Sequence, residues 1–418
     1  MLGRYRVIAR NRNYMRLWFG LLISNLGDRL AEFGLAWYVL SRTNNPLDVG
    51  LSLLVYQLPG LFSGILAGFF LDRFRRETVM IIDSLVRGGL VALVPLMSMG
   101  PGLPLPVLYL IIALLGAFSV VTTVGSRTLI TEYVDETDYN TANSLETLQG
   151  QISGVIGPVL AGVLVGLIGP VSLLWIDSLT FLIFAIILLG LRRQPGALQV
   201  PSGGTGAPAV STFWKHLFEG VSYTFRSPLL LSLLSVSFLW NMSVGIYNLA
   251  LPFFCLGPLG VGPAGMGLLL AVNSIGSFLS ALIFGPLQPR YPGRVVCLLL
   301  LIQAVCYILI GALPFFPLTI LLSFCLGAFD DLGAIYLASV RQRAVPKPLM
   351  GRVLAFTGTV GPGGMPLGSG LAGLLVVGFG SAWVVIFTAV PLVVTGGLGL
   401  IAGPLRRVEA KTKVEQVV

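Results

Sequence analysis

The sequence predicts an all-α polytopic membrane protein of twelve transmembrane helices, arranged as two six-helix halves. Of its 418 residues, 55% are hydrophobic and only 10% are charged, whereas soluble domains carry about 25% charged residues. The apolar residues form long segments of about 20 residues, the length that crosses the hydrocarbon core of a bilayer. Short charged segments separate them. This composition excludes a soluble globular domain.

The predicted spans follow from these apolar segments. The residues before the first span are polar and rich in Arg up to Arg16, unlike a cleavable signal peptide, so the first helix is expected to act as the insertion signal. The longest polar interval separates the sixth span from the seventh. The spans are 17–40, 48–70, 78–98, 105–126, 142–166, 171–191, 229–254, 265–288, 294–314, 317–340, 353–378 and 382–403.

The distribution of basic residues predicts the orientation. Lys and Arg occur in both termini and in alternate loops, while the opposite loops near 98–105, 166–171, 255–264, 312–317 and 378–382 contain none. Arg42 is the one exception. Cytoplasmic loops carry the excess of positive charge, so both termini are predicted to be cytoplasmic in a multi-pass protein of the cell membrane. The net charge of +9 is therefore a signal of topology, with the lipid bilayer and not nucleic acid as the expected partner.

The polar interval divides the chain into residues 1–191, a cytoplasmic linker at 192–227, and residues 228–418. The Pro- and Gly-rich stretch Pro201–Pro208 predicts a flexible segment. Beyond it, apolar residues recur at helical spacing and predict an amphipathic helix on the membrane surface. A partner-binding helix is the alternative. The apolar positions are Trp214, Leu217, Phe218, Val221 and Phe225.

A charge-dense turn lies between the second and third spans. Gly68, Asp72, Arg73 and Arg76 resemble the Gly-x-x-x-Asp-Arg-x-Gly-Arg-Arg/Lys loop of major facilitator superfamily transporters, with Arg75 in place of the second Gly. The resemblance implies the major facilitator fold, two pseudo-symmetric six-helix halves around a substrate cavity. It also implies a gating role for these residues. In the second half, the related run 285–290 keeps the Gly and the Arg.

A second motif lies in the fifth span. Ser153 to Gly162, with Gly157 and Pro158, resembles the Gly-x-x-x-Gly-Pro-x-x-Gly-Gly signature of exporters in this superfamily. Small residues at this spacing allow close helix contact, and proline bends a helix. Ordinary tight packing is the alternative. Residues 13–18, 27–28 and 349–353 are similar to a branch of macrolide-efflux and siderophore exporters, which implies proton-coupled export of amphipathic small molecules such as drugs.

Charged residues in the middle of the first span are the leading candidates for coupling. Asp28 and Glu32 are four residues apart and share a helix face, while Arg29 is rotated away. A charge at this depth costs at least about 2.5 kcal/mol. Two carboxylates facing one cavity repel each other as anions, which favours binding of a proton. A structural ion pair with Arg29 or with a neighbouring helix is the alternative.

Other charged residues near or inside the spans have two interpretations each. Asp83 and Arg87, four apart in the third span, are expected to neutralise one another or to support the Asp72 loop. Arg127 precedes an acidic segment, where a salt bridge would close the cytoplasmic side; solvated loop charges are the alternative. Coupling or helix-packing hydrogen bonds explain three aspartates: Asp177, Asp330 and Asp331.

Neutral polar residues and aromatic residues also occur at membrane depth. A cavity for amphipathic ligands needs aromatic faces with sparse hydrogen-bonding groups, but interhelical hydrogen bonds explain such residues equally well. Together with Arg29, the substrate-cavity candidates are Asn25, Gln57, Trp240, Asn241, Tyr247, Asn248 and Asn273.

The sequence also predicts what the protein does not use. It has no Gly-Lys dipeptide and hence no Walker A loop, one His, no C-x-x-C pair and no Gly-x-Ser-x-Gly elbow. We therefore expect no enzymatic activity, no cofactor and no metal site, and a monomer that exchanges a small-molecule substrate against protons by alternating access. A lysophospholipid flippase, a metal-ion exporter resembling ferroportins, and a receptor on a transporter scaffold are the alternatives.

Overall fold

A computed structural model describes residues 11–100, 103–134, 138–191, 210–284, 287, 289–346, 349–401 and 404–407. Within these ranges the regular secondary structure is helical, which confirms the predicted all-α class. The predicted flexible stretch at 201–208 and most of the C-terminal tail lie outside the described residues.

Six long helices form the first part of the chain. The first begins at Asn11, whose side chain accepts hydrogen bonds from the main-chain N–H groups of Asn13 and Tyr14, and it ends at Asn44 in the left-handed conformation, with φ of 49°. Asn is favoured at both kinds of cap. The helices are α1 Arg12–Thr43, α2 Pro46–Arg73, α3 Arg76–Ser98, α4 Leu105–Tyr133, α5 Tyr139–Ile168 and α6 Pro170–Leu189.

The later part of the chain begins with a helix where the amphipathic helix is predicted. This helix, α7 Val210–Arg226, has a salt bridge from Glu219 to Arg352. The exposed side chains of Phe218 and Phe225 share one face. The following helices are α8 Pro228–Leu256, α9 Gly262–Phe284, α10 Pro292–Ala312, α11 Phe316–Ala344, α12 Met350–Val360, α13 Gly364–Phe379, α14 Ser381–Phe387 and α15 Ala389–Ile401, with a short 3₁₀ turn at Pro404–Arg407.

Two predicted spans differ from the structure because each is divided. The eleventh is interrupted between α12 and α13 at Gly361–Gly363, and the twelfth at Thr388. At the first break, Gly364 N donates to the carbonyl of Gly361 and Met365 N to that of Pro362, at 3.3 and 2.9 Å. These bonds reach back three residues instead of four, so the backbone groups are satisfied while the regular α-helix is broken.

Ten helical segments of the described chain are long and apolar enough to cross a membrane, with α12–α13 and α14–α15 each counted as one. The other two predicted spans correspond to α1 and α2, which have 32 and 28 residues. In α1, Asp28, Arg29 and Glu32 interrupt the apolar sequence. A multi-pass membrane protein is confirmed, and the count of twelve remains a prediction for these two helices.

The helices form two units. The first comprises residues 1–44, 52–204 and 263–271, and the second comprises residues 45–51, 205–262 and 272–418. In the first unit α6 packs against α1 and α3, and in the second α8 packs against α13. The core of each unit is made of apolar side chains such as Phe181 and Phe184 in the first and Leu249 and Phe254 in the second.

A repeated turn supports the predicted internal repeat. Gly169 joins α5 to α6 with φ 79° and ψ 163°, and Gly380 joins α13 to α14 with φ 81° and ψ 159°. Only glycine adopts this backbone conformation readily. Each turn also comes seven residues after a glycine of the preceding helix. Gly169 follows Gly162 at this distance, and Gly380 follows Gly373.

Candidate functional site

A buried ion pair joins α1 to α3 inside the first unit. Arg87 Nη2 donates a hydrogen bond to Asp28 Oδ1, with only 3% of the arginine side chain and 25% of the aspartate side chain exposed. The guanidinium also lies 4.3 Å from the ring centroid of Phe181 on α6. A charge this well buried is stable only with a partner, so Asp28 and Arg87 depend on each other.

Asp177 of α6 lies directly beside this pair. Its side chain is 1% exposed and contacts α1 at Gly27, where a methyl group would overlap Asp177 Oδ1 and Thr180 Oγ1. The Thr180 hydroxyl is 2.8 Å from the main-chain carbonyl oxygen of Asp177 and 3.2 Å from its Oδ1. Asp177 Oδ2 has no hydrogen-bond partner among the described residues. The absence of a side chain at Gly27 thus lets the Asp177 carboxyl group approach α1 next to Asp28.

Asp83 has a different partner from the one expected. Thr122 Oγ1 of α4 donates to Asp83 Oδ2 at 2.8 Å, while Arg87 makes its ion pair with Asp28. Asp83 is 2% exposed, so it lies in the interior of the unit and not on the loop near Asp72. The predicted neutralisation of Asp83 by Arg87 is replaced by an interhelical pair because α1 supplies a closer carboxylate.

Arg29 and Glu32 form a second, more open pair on α1. Arg29 Nη1 is 3.1 Å from Glu32 Oε2, and the two side chains are 51% and 45% exposed. The stem of Arg29 crosses α5 at Gly157, where an added Cβ would lie 2.7 Å from Arg29 Cβ. Asp28 and Glu32, predicted to act as a carboxylate pair, therefore each have an arginine partner.

The two aspartates of α11 lie in the second unit. Asp331 accepts a hydrogen bond from Ser277 of α9, and Asp330 interacts electrostatically with Tyr307. Both side chains are partly buried. The partner of Asp331 fits the helix-packing interpretation. No ion pair is found for either aspartate among the described residues.

The predicted substrate-cavity residues are divided between the two units. Asn273 donates to the main-chain carbonyl of Ser323, at 3.2 Å, and Asn241 to that of Ser237 on its own helix, at 2.8 Å. The ring centroids of Tyr247 and Tyr307 are 5.0 Å apart. Trp240 is buried with Tyr247 in the second unit, and three candidates are partly buried: Asn25, Gln57 and Asn248.

Four of the predicted gating residues lie toward the ends of α2, α3 and α4, namely Gly68, Arg73, Arg76 and Arg127. Arg76 Nη1 donates to the main-chain carbonyl of Thr128, at 3.4 Å. Arg127 Nε is 3.7 Å from Glu146 Oε1 on α5, while Asp135 and Glu136 just after α4 lie outside the described residues. Gly68 has no atom within 4 Å of an added Cβ, and Arg73 is exposed at the end of α2. The Asp72 side chain lies outside the described residues.

The small-residue motif of α5 makes a close helix contact inside the first unit. A Cβ added to Gly162 would lie 2.5 Å from the carbonyl oxygen of Pro263 in α9, and one added to Gly267 would overlap the carbonyl of Pro158. Gly162 therefore serves the close approach that its motif predicts.

The chemistry available to the first unit is reversible protonation. A buried carboxylate held by one arginine binds a proton when that arginine moves away, because an unpaired buried carboxylate is costly. Among the described residues no three His, Cys, Asp or Glu side chains lie close enough together to hold a metal ion. Sequence reasoning missed the partner hydroxyls Thr122 and Thr180. Threonine is common in apolar helices, so nothing in the pattern marks them.

Solved transporters share this fold. A POT family transporter in complex with 5-aminolevulinic acid matches with a TM-score of 0.74 and 13% identity, over 95% of this chain and 97% of that chain. The nucleoside transporter NupG matches with a TM-score of 0.70 and 16% identity, over 93% and 99%. These matches show the fold, and the family model that matches residues 8–417 identifies the class of protein as a major facilitator superfamily transporter, as predicted, and not an enzyme.

The sequence comparison is more specific. The profile of the transmembrane secretion effector family matches residues 8–417, and the chain belongs to this family. The multidrug efflux pump Tap of Mycolicibacterium fortuitum is 24% identical over 94% of this chain and 97% of the relative. The uncharacterized MFS-type transporter y4rN of Sinorhizobium fredii is 26% identical over 89% and 90%. A small-molecule substrate and a membrane location follow from the family.

Proposed function

We propose that the protein exports amphipathic small molecules, such as drugs, macrolides or siderophores, in exchange for protons by alternating access. The observation that carries the proposal is the buried Asp28–Arg87 pair beside the half-exposed Arg29–Glu32 pair on the same helix. Exposed charges in the middle of a membrane helix are too costly to face lipid. This face of α1 therefore borders water, and a buried carboxylate lies one residue away from it.

The similarity to the efflux pump Tap over nearly the whole chain supports drug export. The positive-inside distribution supports cytoplasmic termini. A proton moving inward across 100 mV supplies about 2.3 kcal/mol, which sustains a roughly fiftyfold gradient of a neutral substrate. A monovalent cationic substrate exchanged for one proton cancels this electrical contribution and needs the pH gradient.

In this mechanism Asp28 binds a proton in the conformation in which Arg87 has moved away from it. Asp28 loses the proton in the conformation in which the Asp28–Arg87 pair forms again. Substrate binding near Arg29 and Glu32 favours one of these arrangements. The bound proton converts the Asp28 carboxylate into a neutral acid, so the net charge of the region rises by one until the proton leaves and the pair forms again.

The test is proton release from the purified, detergent-solubilised protein when macrolides, dyes and siderophores are added. The unaltered protein is compared with Asp28→Asn and Glu32→Gln. Asp48→Asn, at the start of α2 and away from the site, is the matched control and should release protons normally. Loss of release in either site variant supports antiport and assigns the coupling carboxylate. A ligand that binds without proton release from the unaltered protein refutes antiport and favours facilitated or lipid transport.

A further inference from the structure

The interior of the first unit contains more carboxyl groups than cations. Asp28, Asp83 and Asp177 surround one guanidinium, Arg87, and interact electrostatically with it. Asp83, Asp177 and Arg87 are at most 3% exposed. The neighbouring cation, Arg29, is paired with Glu32 and half exposed. One positive charge cannot neutralise three buried carboxylates, and an unpaired buried carboxyl group takes up a proton.

The geometry around Asp177 indicates that this residue holds such a proton. The Thr180 hydroxyl has one hydrogen, which the shorter contact, 2.8 Å, assigns to the main-chain carbonyl of Asp177. The longer contact joins Thr180 Oγ1 and Asp177 Oδ1, at 3.2 Å. It is the weaker branch of the same donation, so the Asp177 carboxyl group receives only a share of one hydrogen bond. Asp177 Oδ2 is buried and has no partner among the described residues, which favours the neutral acid over the carboxylate.

Asp177 also has the position needed to exchange with Asp28. Gly27 allows the Asp177 carboxyl group to contact α1 directly beside Asp28, and Arg87 lies against Phe181 one turn along α6. The guanidinium therefore lies between α1 and α6, within reach of both carboxyl groups. The charged groups that act on Asp177 are Asp28 and Glu32 of α1 and Arg87 of α3.

We propose that Asp177 is a second proton-carrying residue. Asp177 gives its proton to Asp28 and in return becomes the ion-pair partner of Arg87. In the exchange the O–H bond of Asp177 breaks and an O–H bond of Asp28 forms. Arg87 stays protonated and moves its N–H donation from Asp28 to Asp177. The buried charge is the same before and after. This inference rests on the proposed antiport, because it supplies the step that frees Arg87 from Asp28.

The matched control is Asp83. This residue is equally buried and also has one oxygen without a partner among the described residues. It lies one turn from Arg87 on the same helix and accepts a hydrogen bond from Thr122 of α4, whereas Asp177 lies against α1 at Gly27. Asp83→Asn should leave the exchange intact.

The experiment is infrared spectroscopy of the whole protein in detergent near neutral pH, which detects the C=O stretch of neutral carboxylic acids. We expect a band that disappears in Asp177→Asn and persists in Asp83→Asn. The band should also disappear in Asp28→Asn, because Arg87 then pairs with Asp177 and ionises it. Thr180→Val, which keeps the carboxyl group and removes the hydroxyl that donates to it, should shift the band.

The exchange is refuted if Asp28→Asn keeps the Asp177 band, or if Asp177→Asn and Thr180→Val both have the spectrum of the unaltered protein. Proton release on adding macrolides separates this result from the proposed function. Release that is normal in Asp177→Asn, with unchanged infrared bands, retains antiport and overturns the exchange. Absence of release from the unaltered protein, with the Asp177 band lost in Asp28→Asn, refutes antiport and retains the exchange.

Discussion

Removal of the Arg87 guanidinium tests the buried ion pair directly. In Arg87→Met the side chain keeps most of its volume and loses its charge, so Asp28 becomes a carboxylate without its partner. Breaking a buried pair from one side costs about 3–5 kcal/mol. Because 25% of the Asp28 side chain is exposed, we expect a value near the lower limit, about 3 kcal/mol.

The contact with the aromatic ring adds to this loss. The guanidinium lies 4.3 Å from the Phe181 ring centroid, and a cation–π contact of this kind contributes about 1 kcal/mol. We therefore expect Arg87→Met to lower the free energy of unfolding by about 4 kcal/mol in total. This is large compared with most single substitutions.

The assay is unfolding of the purified protein by SDS in mixed micelles, followed by tryptophan fluorescence. Arg42→Met is the control on α1. Arg42 is exposed and donates to the Tyr38 hydroxyl at 3.1 Å, so its loss should cost less than about 1 kcal/mol.

The double variant Asp28→Asn with Arg87→Met provides the decisive comparison. It removes both charges, so only the ring contact and the packing are lost, at about 1–2 kcal/mol. The double variant should therefore be more stable than Arg87→Met by about 2 kcal/mol. If the double variant is as unstable as Arg87→Met, the ion pair is not the reason for the loss and the reasoning fails.

Each of two further predictions compares two glycines of the same helix, one in a close contact and one with open space around it. Gly162→Ala should lower the free energy of unfolding by about 1–3 kcal/mol and slow export, since its Cβ would lie 2.5 Å from the Pro263 carbonyl oxygen, whereas Gly166→Ala meets nothing within 4 Å. Equal behaviour of the two in the SDS assay contradicts the close contact of α5. In α15, a Cβ at Gly396 would lie 2.9 Å from the Cys297 carbonyl oxygen, while Gly397 has open space. Size-exclusion profiles after heating should show loss of the folded peak for Gly396→Ala at a lower temperature than for Gly397→Ala, and the reverse order would refute this packing.

The sequence predicts the spans well where proline and glycine mark their ends. The sixth and ninth spans, predicted at 171–191 and 294–314, are α6 Pro170–Leu189 and α10 Pro292–Ala312, each with proline at the first helical position. The division of the eleventh span was missed although the run from Gly361 to Gly364 contains its signal. Apolar segments on both sides of this run gave one continuous hydrophobic pattern.

The site is predicted only in part. Charged residues within apolar spans are rare enough to be found individually, as Asp28 and Asp177 were. Their partners depend on which faces of separate helices meet, and Arg87 is 59 residues from Asp28 in the sequence. A pattern within one helix favours the partner four residues away, and this is why Asp83 was assigned to Arg87. Pairing across helices requires the packed structure.

The break between α12 and α13 has a consequence for hydrogen exchange. Two main-chain bonds at this joint, from Gly364 N and Met365 N, span three residues, and Pro362 contributes no N–H group. Bonds of this type have poorer geometry than those of an α-helix, so local opening here needs less free energy than opening within the helix on either side. The amide protons of Gly364 and Met365 should therefore exchange with solvent deuterium while those of the rest of α13 are still protected. Spectroscopic labels on α12 and α13 should accordingly report two separate motions within one predicted span.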